Sequence, residues 1–247
     1  MSLDFTPAPA AASLPRRVGA HAATETRLIL RNGEQYVLAL VIPIAVLVAG
    51  RWFGDRFDQG FDTIAVSVLG LAIWSTCFTS MAISTGFERR YNVLERLAAT
   101  PLGRPGILLG KAAALAVVTL LQVIVLGAVA LVLGWRPTLD SAHLAVALPA
   151  AFLGAAAFAG LALCLSGTAR PEVTLAVANL LYLLGLAGGI VVPISVFPAF
   201  LQPVISLLPT GALGEALRQG SAWSLVVLLV WTVGSLAVAR KVFQWTS

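Results

Sequence analysis

The sequence predicts an all-α polytopic membrane protein: six transmembrane helices, an N-terminal helix lying in the membrane interface, and a re-entrant helical segment before the last span. Of its 247 residues 59% are hydrophobic and only 11% charged, more apolar surface than a soluble core of that size buries. The apolar residues fall in long runs, several of them near the roughly 20 residues that a helix needs to cross hydrocarbon. These runs are unbroken rather than alternating, which disfavours a membrane β-barrel. Periodicity within them is uninformative, because a helix in this setting can be apolar all round.

Residues 1–15 are rich in Ala and Pro, hold no apolar core of the kind a signal peptide needs, and read as a disordered cytoplasmic tail. From 16 to 35, Leu28, Ile29 and Leu30 are mixed with Glu25, Arg27, Arg31 and Glu34, which fits an interfacial helix or an ordinary juxtamembrane one. The first span covers about 36–50, with Pro43 inside it, and a loop follows with Arg51, Asp55, Arg56, Asp58 and Asp62. The second span, about 63–85, carries Thr76, Thr79, Ser80 and Ser84 at helical spacing, a stripe that either lines a cavity or hydrogen-bonds to neighbouring helices. The third, about 107–133, has Thr119 and Gln122 on one face. In the fourth, about 142–165, the small residues from Gly154 to Gly160 permit close approach of another helix. The fifth, about 173–192, contains Asn179, Tyr182 and a Gly185-x-x-x-Gly189 pattern that fits a packing groove or a hinge.

Residues 193–218 are apolar yet carry Pro193, Pro198, Pro203 and Pro209, so no straight spanning helix forms there. Short helices that enter the membrane and return are the physical alternative, allowed where the broken backbone is covered by protein or faces water. The sixth span covers about 222–239. Placing both termini inside puts 12 of the 16 Lys and Arg residues on the cytoplasmic side and leaves Arg51, Arg56, Arg136 and Arg218 outside.

The net charge of +5 comes from residues flanking apolar runs, where they set topology, so no nucleic-acid partner is expected. Cys77 and Cys164 lie inside apolar runs with no Cys or His cluster, and neither a metal nor a disulfide is expected. The spans show no convincing mid-membrane ionisable residue of the kind that ion-coupled carriers and membrane enzymes require. Gly106-Ile-Leu-Leu-Gly110-Lys111-Ala112 superficially resembles a nucleotide-binding loop, but it is one residue short between its glycines and has Ala where a hydroxyl would hold magnesium. The chain is therefore expected to be no enzyme and to bind no cofactor itself.

One loop is far more charged than a simple connection needs. Glu88, Arg89, Arg90, Glu95, Arg96 and Arg104 crowd between the second and third spans, and 88–98 reads as a helix stopped by Pro101. It is either a solvated helix with local ion pairs or a rigid knob whose alternating charges fix its register in a cleft. GFERRYNVLERLAATPLGRPGILLGK (86–111) resembles the cytoplasmic loop of ABC-2 type transporter permeases, with Asn92-Val93 where that family often has Gly-Thr and its first acidic cluster reduced to Glu88. Asn tolerates the left-handed conformation that a turn there requires. The segment with RNGEQ resembles the family's elbow helix, including Arg27, Arg31 and Glu34, and PISVFPAFLQPVISLLPTGALGEALR resembles its re-entrant segment.

The resemblance implies a permease subunit of an ATP-driven exporter in a bacterial cytoplasmic membrane, paired with a second copy or a related permease. Its loop would be a coupling helix, with Glu88, Arg89, Arg90, Tyr91, Glu95, Arg96, Leu97 and Pro101 seated on a separate ATP-binding subunit that holds ATP and Mg. The cargo would be hydrophobic or amphipathic, drug or lipid-like. A polysaccharide or glycolipid exporter and an ion-coupled carrier are the alternatives. Thr76, Thr79, Ser80, Asn179 and Tyr182 are the candidate substrate pathway.

Overall fold

The computed structural model describes residues 11–33, 37–54, 60–137 and 140–245. Glu34, most of the tail, and Asp55, Arg56 and Asp58 of the first loop lie outside them. The described residues fold as helices throughout: α1 (Leu14–Arg31), α2 (Ala39–Phe53), α3 (Phe61–Arg90), α4 (Val93–Ala98), α5 (Gly103–Val132) and α6 (Ser141–Thr168), then α7 (Pro171–Gly185), α8 (Gln202–Ser206), α9 (Pro209–Gln219) and α10 (Ala222–Val242). Five of these are long and apolar enough to cross a membrane, α7 counted with the π turn that extends it to Ile190. The first expected span corresponds to α2, a shorter apolar helix.

α3 is the central helix: 89% of its apolar window is buried, against 28–33% for the other four. Around it the core gathers Trp74, Phe78, Phe158, Tyr182 and Leu213, and a smaller cluster joins Leu47, Val68 and Leu126 nearer one end. The outer helices leave Leu120, Ile124, Leu180, Leu183 and Val230 exposed, surfaces suited to lipid rather than water. The small residues of α6 act as expected. A side chain at Gly160 would collide with Ser235 of α10, whose hydroxyl donates to Ala157 O at 3.1 Å, and Thr232 donates to Leu153 O at 2.9 Å.

Two boundaries differ from expectation. The second span does not stop at Thr85 with a separate helix beginning at Glu88. α3 runs unbroken to Arg90, because nothing between Thr85 and Arg90 breaks a helix more strongly than Gly86. The expected helix over 88–98 is accordingly divided at Asn92, which sits in the left-handed region at φ 56°, ψ 23°, and only the short α4 follows it. The fifth span ends early, where Gly188 and Gly189 leave helical geometry and Gly189 takes φ 90°. Gly189 also meets the α9 backbone, since a Cβ there would lie 2.6 Å from Gly211 Cα.

Beyond this break the prolines fall where a missing N–H is harmless, Pro203 and Pro209 in the first turns of α8 and α9. With 11 residues, α9 is only about 16 Å long and cannot cross a bilayer. It is nonetheless buried against α3, α6 and α10. Arg218 near its end donates to Gly189 O at 2.8 Å, to Ile190 O and to Ser67 Oγ at 3.1 Å, closing off the carbonyls that α7 leaves open. Its remaining partner is Glu215, at 3.2 Å.

Candidate functional site

The charged stretch of the sequence separates in space into an exposed knob and a buried base. Leu94, fully buried, anchors α4, and the left-handed residues Asn92 and Gly103 turn the chain at either side of it. Arg96 folds back over the first turn, its guanidinium donating to Tyr91 O at 3.0 Å and Asn92 O at 3.3 Å. Thr100 ties off the other end, donating to Leu97 O at 2.6 Å and accepting from Leu102 N. The knob is thus locked by its own short-range bonds while Tyr91, Glu95, Arg96 and Pro101 face outward and Leu97 is half-buried. Tyr91 is 62% exposed, stacked beside Phe87.

Beneath the knob the charges turn inward. Lys111, only 4% exposed, donates from Nζ to Glu25 Oε2 at 3.0 Å and to Glu88 Oε1 at 2.7 Å, which joins α1, the end of α3 and α5 in one buried ion cluster. His21 stands on the same face of α1, with Nε2 3.8 Å from Glu25 Oε1. It fits because residue 110 is glycine, where a Cβ would fall 2.4 Å from the imidazole. Burial pushes the His21 imidazole below its ordinary value; Glu25 opposes that shift and Lys111 adds to it. So α1 buries His21 and Glu25 on α5 and leaves Leu28 exposed, along with Arg27 and Arg31.

Arg89 is also buried. Its guanidinium donates to Gly167 O and to Ala169 O at 2.6 Å, closing the C-terminal end of α6. Arg90 remains at the surface, paired with Glu172 at the start of α7. Of the eight residues expected to face a partner, then, Glu88 and Arg89 are committed inside this chain: one neutralises a buried lysine, the other satisfies two helix-end carbonyls. Glu25, His21 and Lys111 were missed as a site. Lys111 lying eight residues inside α5 was the available signal, since a lysine in an apolar run demands partners.

The candidate pathway residues sit in the interior of this single chain. Thr76 donates to Gln122 Oε1, whose amide in turn donates to Ala39 O at 3.1 Å. Thr79, Ser80 and Tyr182 are buried and Asn179 is half-buried. Of the stripe, Thr76 thus bonds to a neighbouring helix, whereas Ser84 bonds within its own helix, to Met81 O at 3.3 Å.

The fold and this loop define a class: a polytopic α-helical membrane protein that projects a locked, charged knob from one end of its bundle. The sequence profile of the ABC-2 type transporter matches residues 17–221, from α1 through the turn before α10, and the chain belongs to that family. It is a transmembrane subunit of an ABC transporter, a permease component without ATPase motifs of its own, whose family implies an ABC ATPase partner. No curated protein gives a significant match.

Proposed function

We propose that the chain is the permease of an ATP-driven exporter that moves a hydrophobic or amphipathic, drug or lipid-like compound outward across a bacterial cytoplasmic membrane. The single observation behind this reading is the knob, rigid in its backbone and exposed in its charges. Tyr91, Glu95, Arg96, Leu97 and Pro101 form the seat for an ATP-binding subunit that carries ATP and Mg, and Arg90 stands at the edge of that seat. The basic residues at this end of the bundle favour a cytoplasmic placement of the knob and of both termini. A second copy, or a related permease, completes the transporter. Closure of the ATPase dimer pushes on the knob, and α3 carries the push into the bundle.

Charge reversal at Glu95 or Arg96 puts like charge against the partner and should weaken docking roughly tenfold or more. Permease-stimulated ATP hydrolysis and efflux should fall together while membrane insertion stays unchanged; the Glu95 reversal should also leave the melting temperature unchanged, whereas the Arg96 reversal additionally removes the bonds to Tyr91 O and Asn92 O. Variants that stimulate hydrolysis and pump normally would remove the coupling role.

A further inference from the structure

At the end of the bundle that carries the knob, a pocket of about 570 Å3 is lined by Arg89, Arg90, Arg170, Pro171, Glu172 and Gln244. Its charges do not balance. Arg90 is answered by Glu172. Arg89 is buried, yet its hydrogen bonds go to neutral carbonyls, and Arg170 is exposed with no hydrogen bond or ion pair among the described residues. The C-terminal end of α6 and the N-terminal end of α7 also meet here, and their partial charges are of opposite sign, so the excess remains. Arg89 and Arg170 thus share one pocket without a counter-ion, although buried charges are ordinarily paired.

The depth of the pocket restricts which anion reaches it. α3 ends at Arg90, α6 at Thr168 and α10 at Val242, and α7 begins at Pro171, so the pocket stands where these spans leave the hydrocarbon and lipid phosphates lie. Arg240 and Lys241, exposed in the last turn of α10, add positive charge at the same level. Glu172, in the pocket wall, heads a stripe of α7: Ala176, Leu180 and Leu183 follow it at i+4, i+8 and i+11, and all are exposed. We infer that the pocket holds the headgroup of one anionic phospholipid, its phosphate on Arg170 and Arg90 and its acyl chains along that stripe. A guanidinium suits a phosphate because it presents paired N–H donors in one plane. Arg89 contributes charge from behind, its terminal nitrogens being bonded to Gly167 O and Ala169 O. The Arg90–Glu172 pair, with side chains 48% and 60% exposed, is held weakly enough for Arg90 to share a phosphate. A zwitterionic lipid would bring a cation into a pocket that already has an excess of them, and a soluble phosphate would leave the apolar stripe unused. Basic pockets between membrane helices are established sites for such headgroups. The inference needs only a membrane-spanning chain and does not rest on the exporter reading.

The test is native mass spectrometry of the purified chain in detergent with dioleoyl phosphatidylglycerol or dioleoyl phosphatidylcholine, which share their acyl chains and differ in headgroup charge. The chain should retain one phosphatidylglycerol and prefer it over phosphatidylcholine by roughly fivefold or more, the effect of one arginine near an anionic surface. Arg170→Gln, at an exposed and unbonded side chain, should keep its melting temperature and lose that preference. Arg136→Gln removes the same charge beyond the far end of α5 and should retain the preference. Equal retention of the two lipids by the unaltered chain, a preference that survives Arg170→Gln, or an equal loss in Arg136→Gln overturns the inference. So does displacement of the lipid by glycerol phosphate at equal concentration, which would make this a site for a soluble phosphate. A chain seen only as a lipid-free dimer would assign the α7 stripe to a second copy and overturn it as well.

Discussion

Lys111 shows how much one buried charge can organise. It holds two carboxylates, one on α1 and one near the end of α3, and both lie at or below 16% side-chain exposure. Replacing it by Met would leave Glu25 and Glu88 facing each other without a counter-ion, a loss of about 3–5 kcal/mol for a broken buried pair. Thermal unfolding in detergent should show that drop for Lys111→Met. Adding Glu25→Gln and Glu88→Gln in the same background should recover most of it, because a neutral cluster carries no ion desolvation. Failure of the triple variant to recover would mean that the aliphatic stem of Lys111, rather than its charge, holds α1 in place.

Among the elements, α4 depends on the residue before it. Asn92 adopts a conformation that costs an ordinary L-residue about 1–2 kcal/mol and a β-branched one more. Asn92→Val should therefore misdirect the knob and reduce permease-stimulated ATP hydrolysis, whereas Asn92→Gly should retain it; equal activity of the two variants would show that the turn is not needed. The sequence contained this turn, since Asn stands where the left-handed residue is required. It did not contain the continuity of α3. From the chain alone, Glu88 to Arg90 belong equally well to a loop helix or to the end of a span, and only the partners 23 and 78 residues away decide it. For the same reason the order of apolar runs and the proline-interrupted segment were readable, while the ion cluster was not. Pattern along the chain reports which residues prefer lipid; it does not report which distant charge will meet another.

At the scale of the whole molecule, α1 ties stability to pH. His21 is held neutral by burial below its ordinary value of 6.5, with Glu25, Lys111 and, through Lys111, Glu88 around it. Below pH 6.5 the unfolded chain takes up a proton that the folded chain resists, so this contribution is present above 6.5 and is lost as pH falls through the lower folded value. Acidification from pH 7.5 to 5.5 should loosen α1, seen as faster proteolysis near residues 14–31, and His21→Gln should flatten that dependence. An unchanged slope in His21→Gln would show that His21 is not the group responsible.

α3 is one 30-residue helix, about 45 Å from end to end, with the knob at one tip and the Trp74 indole close to its midpoint. If its far tip is held by Ile64 and Val68 in their own packed cluster, the helix is a lever with its fulcrum there. A stroke delivered at Arg90 then arrives at Trp74 at about one third of its size. The six-residue π turn Ser75–Ser80 lies within that arm, every residue of it buried, so a stroke from Arg90 must pass through a wider-wound section of helix held on all sides before it reaches Trp74.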